Sequence, residues 1–154
     1  MKVLFVCLGN ICRSPSAEGV FRRVLDNASM TDQVRVDSCG IGSWHVGKAP
    51  DKRAMNTAKQ RGIDISALRA RQLAPDDFDR FDYILAMDHD NLRAIRAMQP
   101  ADYTGHVGLL LDFAGQADAE VPDPYYGGDQ GFEEVFDLIQ SASHGLLNHL
   151  RSRE

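Results

Sequence analysis

The stretch that most limits how this chain can fold is residues 3–15, VLFVCLGNICRSP, where the backbone must change period within a few residues. Val3 to Val6 is a short, wholly apolar run, and it reads as a strand buried on both faces. From Ala17 the apolar residues Ala17, Val20, Phe21, Val24 and Leu25 recur at i, i+3, i+4, i+7 and i+8, one face of a helix. Ser14 offers a capping hydroxyl, and Pro15 lacks only an N–H that the first turn cannot use. Residues 7–13 are therefore a tight loop between a buried strand and a helix N-terminus.

Such a loop is suited to an anion. The first amides of a helix have no partner within it, and its dipole places partial positive charge there. Gly9 allows the chain to turn without a Cβ, and Asn10 tolerates left-handed angles, so successive amides can curl into a concave nest. Cys7 opens this loop and Arg13 closes it, a C-x5-R spacing. A thiol at a helix N-terminus beside a cation ionises readily, and a guanidinium fork matches two oxygens of a phosphate-like group. Cysteine ending a buried strand is more often plain core, so the assignment rests on the whole set: strand, Gly-Asn turn, arginine and Ser-Pro.

The 154 residues fit one domain spanning residues 1–154, and 44% hydrophobic with 25% charged residues is ordinary for a globular protein. No apolar run approaches the ~20 residues of a membrane span. Three cysteines without disulfide-like spacing fit a reducing compartment, so a cytoplasmic location is expected. A net charge of -5 argues against nucleic acid as a partner. The charge is uneven. Residues 51–72 are rich in Lys and Arg, whereas residues 112–134 carry seven acids and no base. Two solvated faces explain this, and so does a basic rim that attracts acidic substrates. His45, His89, His106, His144 and His149 form no pair or cluster at ligand spacing, so no metal and no cofactor is expected.

Further along, Val34–Ser38 alternates as a second strand, Tyr83–Met87 is a third and Val107–Leu111 a fourth. Between them Asp51 can cap a helix with Ala54, Met55 and Ala58 inward and Gly62 as its stop, and Pro75–Phe78 suggests a helical turn. Asp88 can cap another helix with Leu92, Ile95 and Met98 inside. Phe132, Val135, Phe136, Ile139, Leu146, Leu147 and Leu150 mark the last helix. Strands alternating with helices imply an α/β fold with a parallel sheet covered on both faces. Ligands of such sheets lie beyond the carboxyl ends of the strands. Cys7, Ser38 and Asp88 sit at those ends, and Trp44 and Asp123 lie on loops that follow them.

A thiolate in an oxyanion nest suits attack on phosphorus, and a carboxyl on another side of the phosphate can protonate the leaving oxygen. Asp123, restrained between Pro122 and Pro124, is the candidate. With VLFVCLGNICRSPSAE, Val36-Asp37-Ser38, Ala70-Arg71-Gln72, FDYILAMDHDN and Asp123-Pro124-Tyr125-Tyr126 in view, the chain resembles the low-molecular-weight protein tyrosine phosphatases along essentially its whole length. That resemblance implies a four-stranded parallel sheet of order 2-1-3-4 flanked by helices. It implies Cys7 as nucleophile, Arg13 as phosphate clamp and Asp123 as general acid, with Leu8, Gly9, Asn10, Ile11, Cys12 and Ser14 around the phosphate. It assigns Ser38 and Asp88 to support, and Trp44, Tyr125 and Tyr126 to the walls of an aromatic slot. The implied partners are tyrosine-phosphorylated proteins, with phosphate and vanadate as site ligands, and Cys12 is the expected redox partner of Cys7. Two positions depart from the pattern: Leu68 stands where a histidine is common, and Cys39 where a small residue is usual. An arsenate reductase of the same fold would need cysteines late in the chain, and none follows Cys39. A non-catalytic phosphotyrosine-binding module would not need Asp123.

Overall fold

The computed structural model describes residues 1–125 and 129–153. Four strands, β1 (Lys2–Cys7), β2 (Arg35–Gly40), β3 (Tyr83–Ala86) and β4 (His106–Leu109), form one all-parallel sheet of order β2-β1-β3-β4. The helices are α1 (Arg13–Asn27), α2 (Lys52–Gln60), α3 (Asp77–Arg80), α4 (His89–Met98) and α5 (Asp129–Arg151). Among the described residues, no helix is long and apolar enough to cross a membrane.

The two-residue period of β1 divides the core in two. Val3, Phe5 and Cys7 face a cluster built with Val20, Phe21, Phe132, Phe136 and Ile139 from α1 and α5. Leu4 and Val6 face the other way, with Cys39, Phe78, Ile84, Leu92 and Ile95. Both faces of β1 are fully buried, which is why its sequence is continuously apolar rather than alternating. The seven apolar residues expected along α5 are all buried.

Several expected boundaries move for identifiable reasons. Helix α1 starts at Arg13 with Cys12 at its N-cap position and no side-chain cap, so the Ser14 hydroxyl is not a capping group. It turns inward to the loop instead. The fourth strand ends at Leu109, and Leu110–Ala114 forms a 3-10 helix closed by Gly115 at φ 73°. Leu110 and Leu111 are buried there, and an apolar run alone does not separate that case from a strand. Met98, the last residue of α4, is 39% exposed. Asp51 does cap α2 by accepting from the Arg53 amide, Asp88 caps α4 by accepting from Asn91, and Gly62 takes φ 79° behind α2.

Gly145 lies where α5 crosses the 3-10 helix, and a Cβ there would collide with the Phe113 carbonyl. Alanine gains about 1 kcal/mol of helix propensity, but overpacking against backbone costs about 1–3 kcal/mol. Gly145→Ala should therefore lower the urea midpoint without changing the slope of the transition. A midpoint that rises would show that α5 can shift away freely.

Candidate active site

The loop from Cys7 to Arg13 is organised by one residue in a left-handed conformation. Asn10 has φ 58°, which asparagine tolerates, and its amide donates to Cys7 Sγ at 3.2 Å. Gly9 is not in that region. Its missing Cβ makes room instead for His45, whose Cδ2 would lie 3.0 Å from a side chain there. Gly40 serves the loop from outside. A Cβ on it would come within 2.9 Å of the Leu8 carbonyl and 3.1 Å of the Asn10 amide. The end of β2 therefore approaches the loop as closely as backbone can.

Asn10 is held by its side chain as well. Its Nδ2 donates to Ser14 Oγ at 2.7 Å and to Ser38 Oγ at 3.1 Å, and its Oδ1 accepts from the Arg71 amide at 3.0 Å. Leu68 packs on the apolar cluster beneath, so the asparagine carbonyl is braced by main chain. Arg71 is itself fixed, with Nη1 and Nη2 on the buried Asp77 carboxylate and Nη2 on Asp37. Ser14 Oγ lies 3.0 Å from Cys7 Sγ.

Arg13 is almost wholly buried. Its Nη1 donates to Asp88 Oδ2 at 2.7 Å and to the Val121 carbonyl at 3.0 Å, and its Nη2 lies 3.6 Å from Asp123 Oδ2. Burial opposes its charge, but Cys7, Asp88 and Asp123 more than offset that and raise its pKa above the usual guanidinium value. Asp88 works at both oxygens, because Oδ1 accepts from the Asn91 amide at 2.7 Å. Asp123 is half-exposed, and its Oδ1 accepts from the Tyr125 amide at 3.0 Å.

Cys7, Leu8, Gly9, Ile11, Cys12, Arg13, Trp44, His45, Asp123 and Tyr125 line one cavity of about 380 Å³. Trp44 is 68% exposed at its rim, and Tyr125 lies 6.4 Å from His45, centroid to centroid. Tyr126, expected as a further wall, lies outside the described residues. His45 was not legible as a site residue from the sequence. Its only signal is its place directly after Trp44. A larger groove, about 480 Å³, runs beside Arg22, Arg23 and Arg35, away from Cys7 and Arg13. Among the described residues, no cluster of His, Cys, Asp and Glu could hold a metal ion.

The remaining cysteines differ from Cys7 in placement. Cys12 shares its cluster and its cavity, whereas Cys39 packs with Val6 on the opposite face of the sheet. Burial is the main cause that pushes both the Cys12 and the Cys39 thiols up.

Residues 2–154 match the family model for low molecular weight phosphotyrosine protein phosphatases. A low molecular weight protein-tyrosine-phosphatase of Bacillus subtilis is 42% identical over 155 residues, covering 100% of this chain and 98% of its own. The crystal structure of a protein tyrosine phosphatase from Entamoeba histolytica, with Hepes in its active site, superposes with TM-score 0.94 at 41% identity, covering 99% of this chain and 97% of that one. The structure of a Drosophila arginine phosphatase superposes at 0.93 with 34% identity, covering 100% of both chains. A sheet of the expected order, one loop that gathers sulfur, guanidinium and carboxylate, and a match along the whole chain place this protein in the low-molecular-weight protein tyrosine phosphatase family.

Proposed function

We propose that the protein hydrolyses phosphotyrosine on protein substrates through a phosphocysteine formed on Cys7. The observation that carries this is one cavity lined by the buried Cys7 and Arg13 and by a half-exposed carboxylate, Asp123, 3.6 Å from the guanidinium. The thiolate sulfur attacks phosphorus in line and the phosphorus–oxygen bond breaks. Its electron pair goes to the phenolic oxygen, which takes a proton from Asp123. Water then attacks phosphorus, the phosphorus–sulfur bond breaks to restore the thiolate, and Asp123 takes the water proton. The equatorial oxygens carry the charge in both steps, and the amides of residues 8–13 with the Arg13 fork are the groups suited to hold it.

The walls favour a flat ring. Leu8, Ile11, Trp44 and Tyr125 offer apolar and aromatic surface around the opening, which suits a phosphophenyl group better than a short phosphoserine. Phosphotyrosine peptides and p-nitrophenyl phosphate should be turned over without added metal and inhibited by vanadate. Phosphoarginine, assayed beside them because of the Drosophila relative, should be the poorer substrate; the reverse order would reassign the reaction while leaving the nucleophile in place. Cys7→Ser should abolish turnover and keep phosphate binding, and Arg13→Lys should lose both, since a point charge cannot replace a fork held by Asp88.

Asp123→Asn should slow phosphotyrosine hydrolysis by about 10²–10⁴-fold, with a smaller penalty for esters whose leaving group needs no proton. Equal losses across a leaving-group series would remove Asp123 from the role.

Peroxide should oxidise Cys7 to a sulfenic acid, which the Cys12 thiol condenses with to give a disulfide and water. Their shared cavity favours this pairing, and the sheet separates Cys39 from it. Because burial holds the proton on Cys12, the bond should form faster as pH rises. Peptide mapping should find Cys7 joined to Cys12, reversibly by dithiothreitol, and Cys12→Ser should be inactivated irreversibly much sooner. A dominant Cys7–Cys39 linkage would contradict the placement of the two faces.

A further inference from the structure

Glu18 is 2% exposed on α1, and no step above uses it. A carboxylate so placed is costly unless it is paired and hydrogen-bonded. Here Oε2 meets Arg22 Nη2 at 2.6 Å, and Oε1 accepts from the Ser38 hydroxyl at 2.8 Å.

The direction of each neighbouring bond follows from donor and acceptor arithmetic. The Arg71 amide can only donate, so it fixes the Asn10 side-chain oxygen toward itself and the NH2 toward the two serines. Both serine oxygens must then accept from Asn10, and their own hydrogens must point elsewhere. The hydrogen of Ser38 goes to Glu18. That of Ser14 has Cys7 Sγ at 3.0 Å and the Cys39 carbonyl at 3.3 Å, and an ionised sulfur is the stronger acceptor. If Glu18 instead carried a proton aimed at Ser38, that serine would receive two donors and its buried hydrogen would have no acceptor. Only an accepting Glu18 agrees with the rest.

We propose that Glu18 is a positioning residue that sets the direction of the hydrogen bonds running from Ser38 through Asn10 and Ser14 to the Cys7 sulfur. The proposal rests on the phosphatase reading above. With Oε1 taking the Ser38 hydrogen and Oε2 facing the Arg22 guanidinium, neither oxygen has an acceptor for an acid proton there, so the ionised carboxylate is the working form. Burial pushes this carboxyl up and Asp37 on β2 adds to that, while Ser38, Arg22 on its own helix and Arg71 on the segment beyond α2 pull it down. Its charge is consequently lost at a higher pH than that of an exposed glutamate, and the working form disappears as pH falls through that raised value.

Two substitutions in the full chain test this, with two readouts: Cys7 alkylation by iodoacetamide across pH, and kcat and KM on p-nitrophenyl phosphate. In Glu18→Gln, Arg22 takes the amide oxygen, which leaves an NH2 against Ser38 and reverses the relay. Alkylation near neutrality and kcat should both fall about tenfold, the effect of roughly one hydrogen bond, with KM nearly unchanged. In Arg22→Ala the glutamate loses a partner that favours its charge, so the acidic limb of kcat should move to higher pH while the plateau stays. Arg22 is 54% exposed, so this protein decides the matter if Glu18→Gln does not fold. An unmoved acidic limb in Arg22→Ala, or an unchanged alkylation profile in folded Glu18→Gln, overturns the relay. If Cys7 of the parent chain reacts only as an ordinary thiol, the phosphatase reading and the relay fall together; an unchanged variant beside a reactive parent overturns the relay alone.

Discussion

The left-handed turn at Asn10 is the constraint on which the site depends. The Asn10 amide donates to the Cys7 sulfur at this turn, and its side-chain oxygen and both side-chain hydrogens are bonded as well. Those bonds reach three separate segments: the first turn of α1, the end of β2 and the stretch before α3. The loop's own sequence makes the turn, and the packing of the sheet and α1 holds its geometry. Gly40 belongs to the same constraint, since any side chain there would push β2 off the Leu8 and Asn10 backbone. A site that must hold charge in place before the reaction begins benefits from such rigidity.

Electrostatics divides the carboxylates around Arg13 by their surroundings. Asp88 is mostly buried, bonds Nη1 and caps a helix, so both of its oxygens serve as acceptors. Asp123 is half-exposed and farther away, and among the described residues its one hydrogen bond is from a backbone amide two residues on. The two carboxylates are distinguished by burial and bonding.

Much of this was legible in the sequence because the decisive signals were local. The VLFV run, the C-x5-R spacing and the helical period from Ala17 fix the strand, the loop and the helix without reference to anything distant, and they imply where a ligand must lie. Asp88 was legible as a cap because its role follows from the turn it begins. What stayed hidden depends on contacts across the fold. Ser14 looks like a cap by its place before Pro15, and only the approach of Asn10 and Cys7 turns its hydroxyl inward. Glu18 reads as one more polar residue on α1 until β2 covers it. Leu110 and Leu111 continue an apolar run, and the switch to a 3-10 helix is decided by packing against α5. His45 enters the cavity because Gly9 leaves space for it, a fact that no window of sequence contains.

The double use of Asp88 has a thermal consequence. One carboxylate starts α4 and also orients the guanidinium, so the helix end and the site share a single fastening. Helix ends fray well below the temperature at which a buried sheet unfolds, and the α4 end that matters here is the one beside Arg13. Each opening of that first turn releases Asp88 to rotate and leaves Nη1 with the Val121 carbonyl alone. Heating that opens this turn therefore frees the Arg13 guanidinium from Asp88 while the strands beneath remain paired.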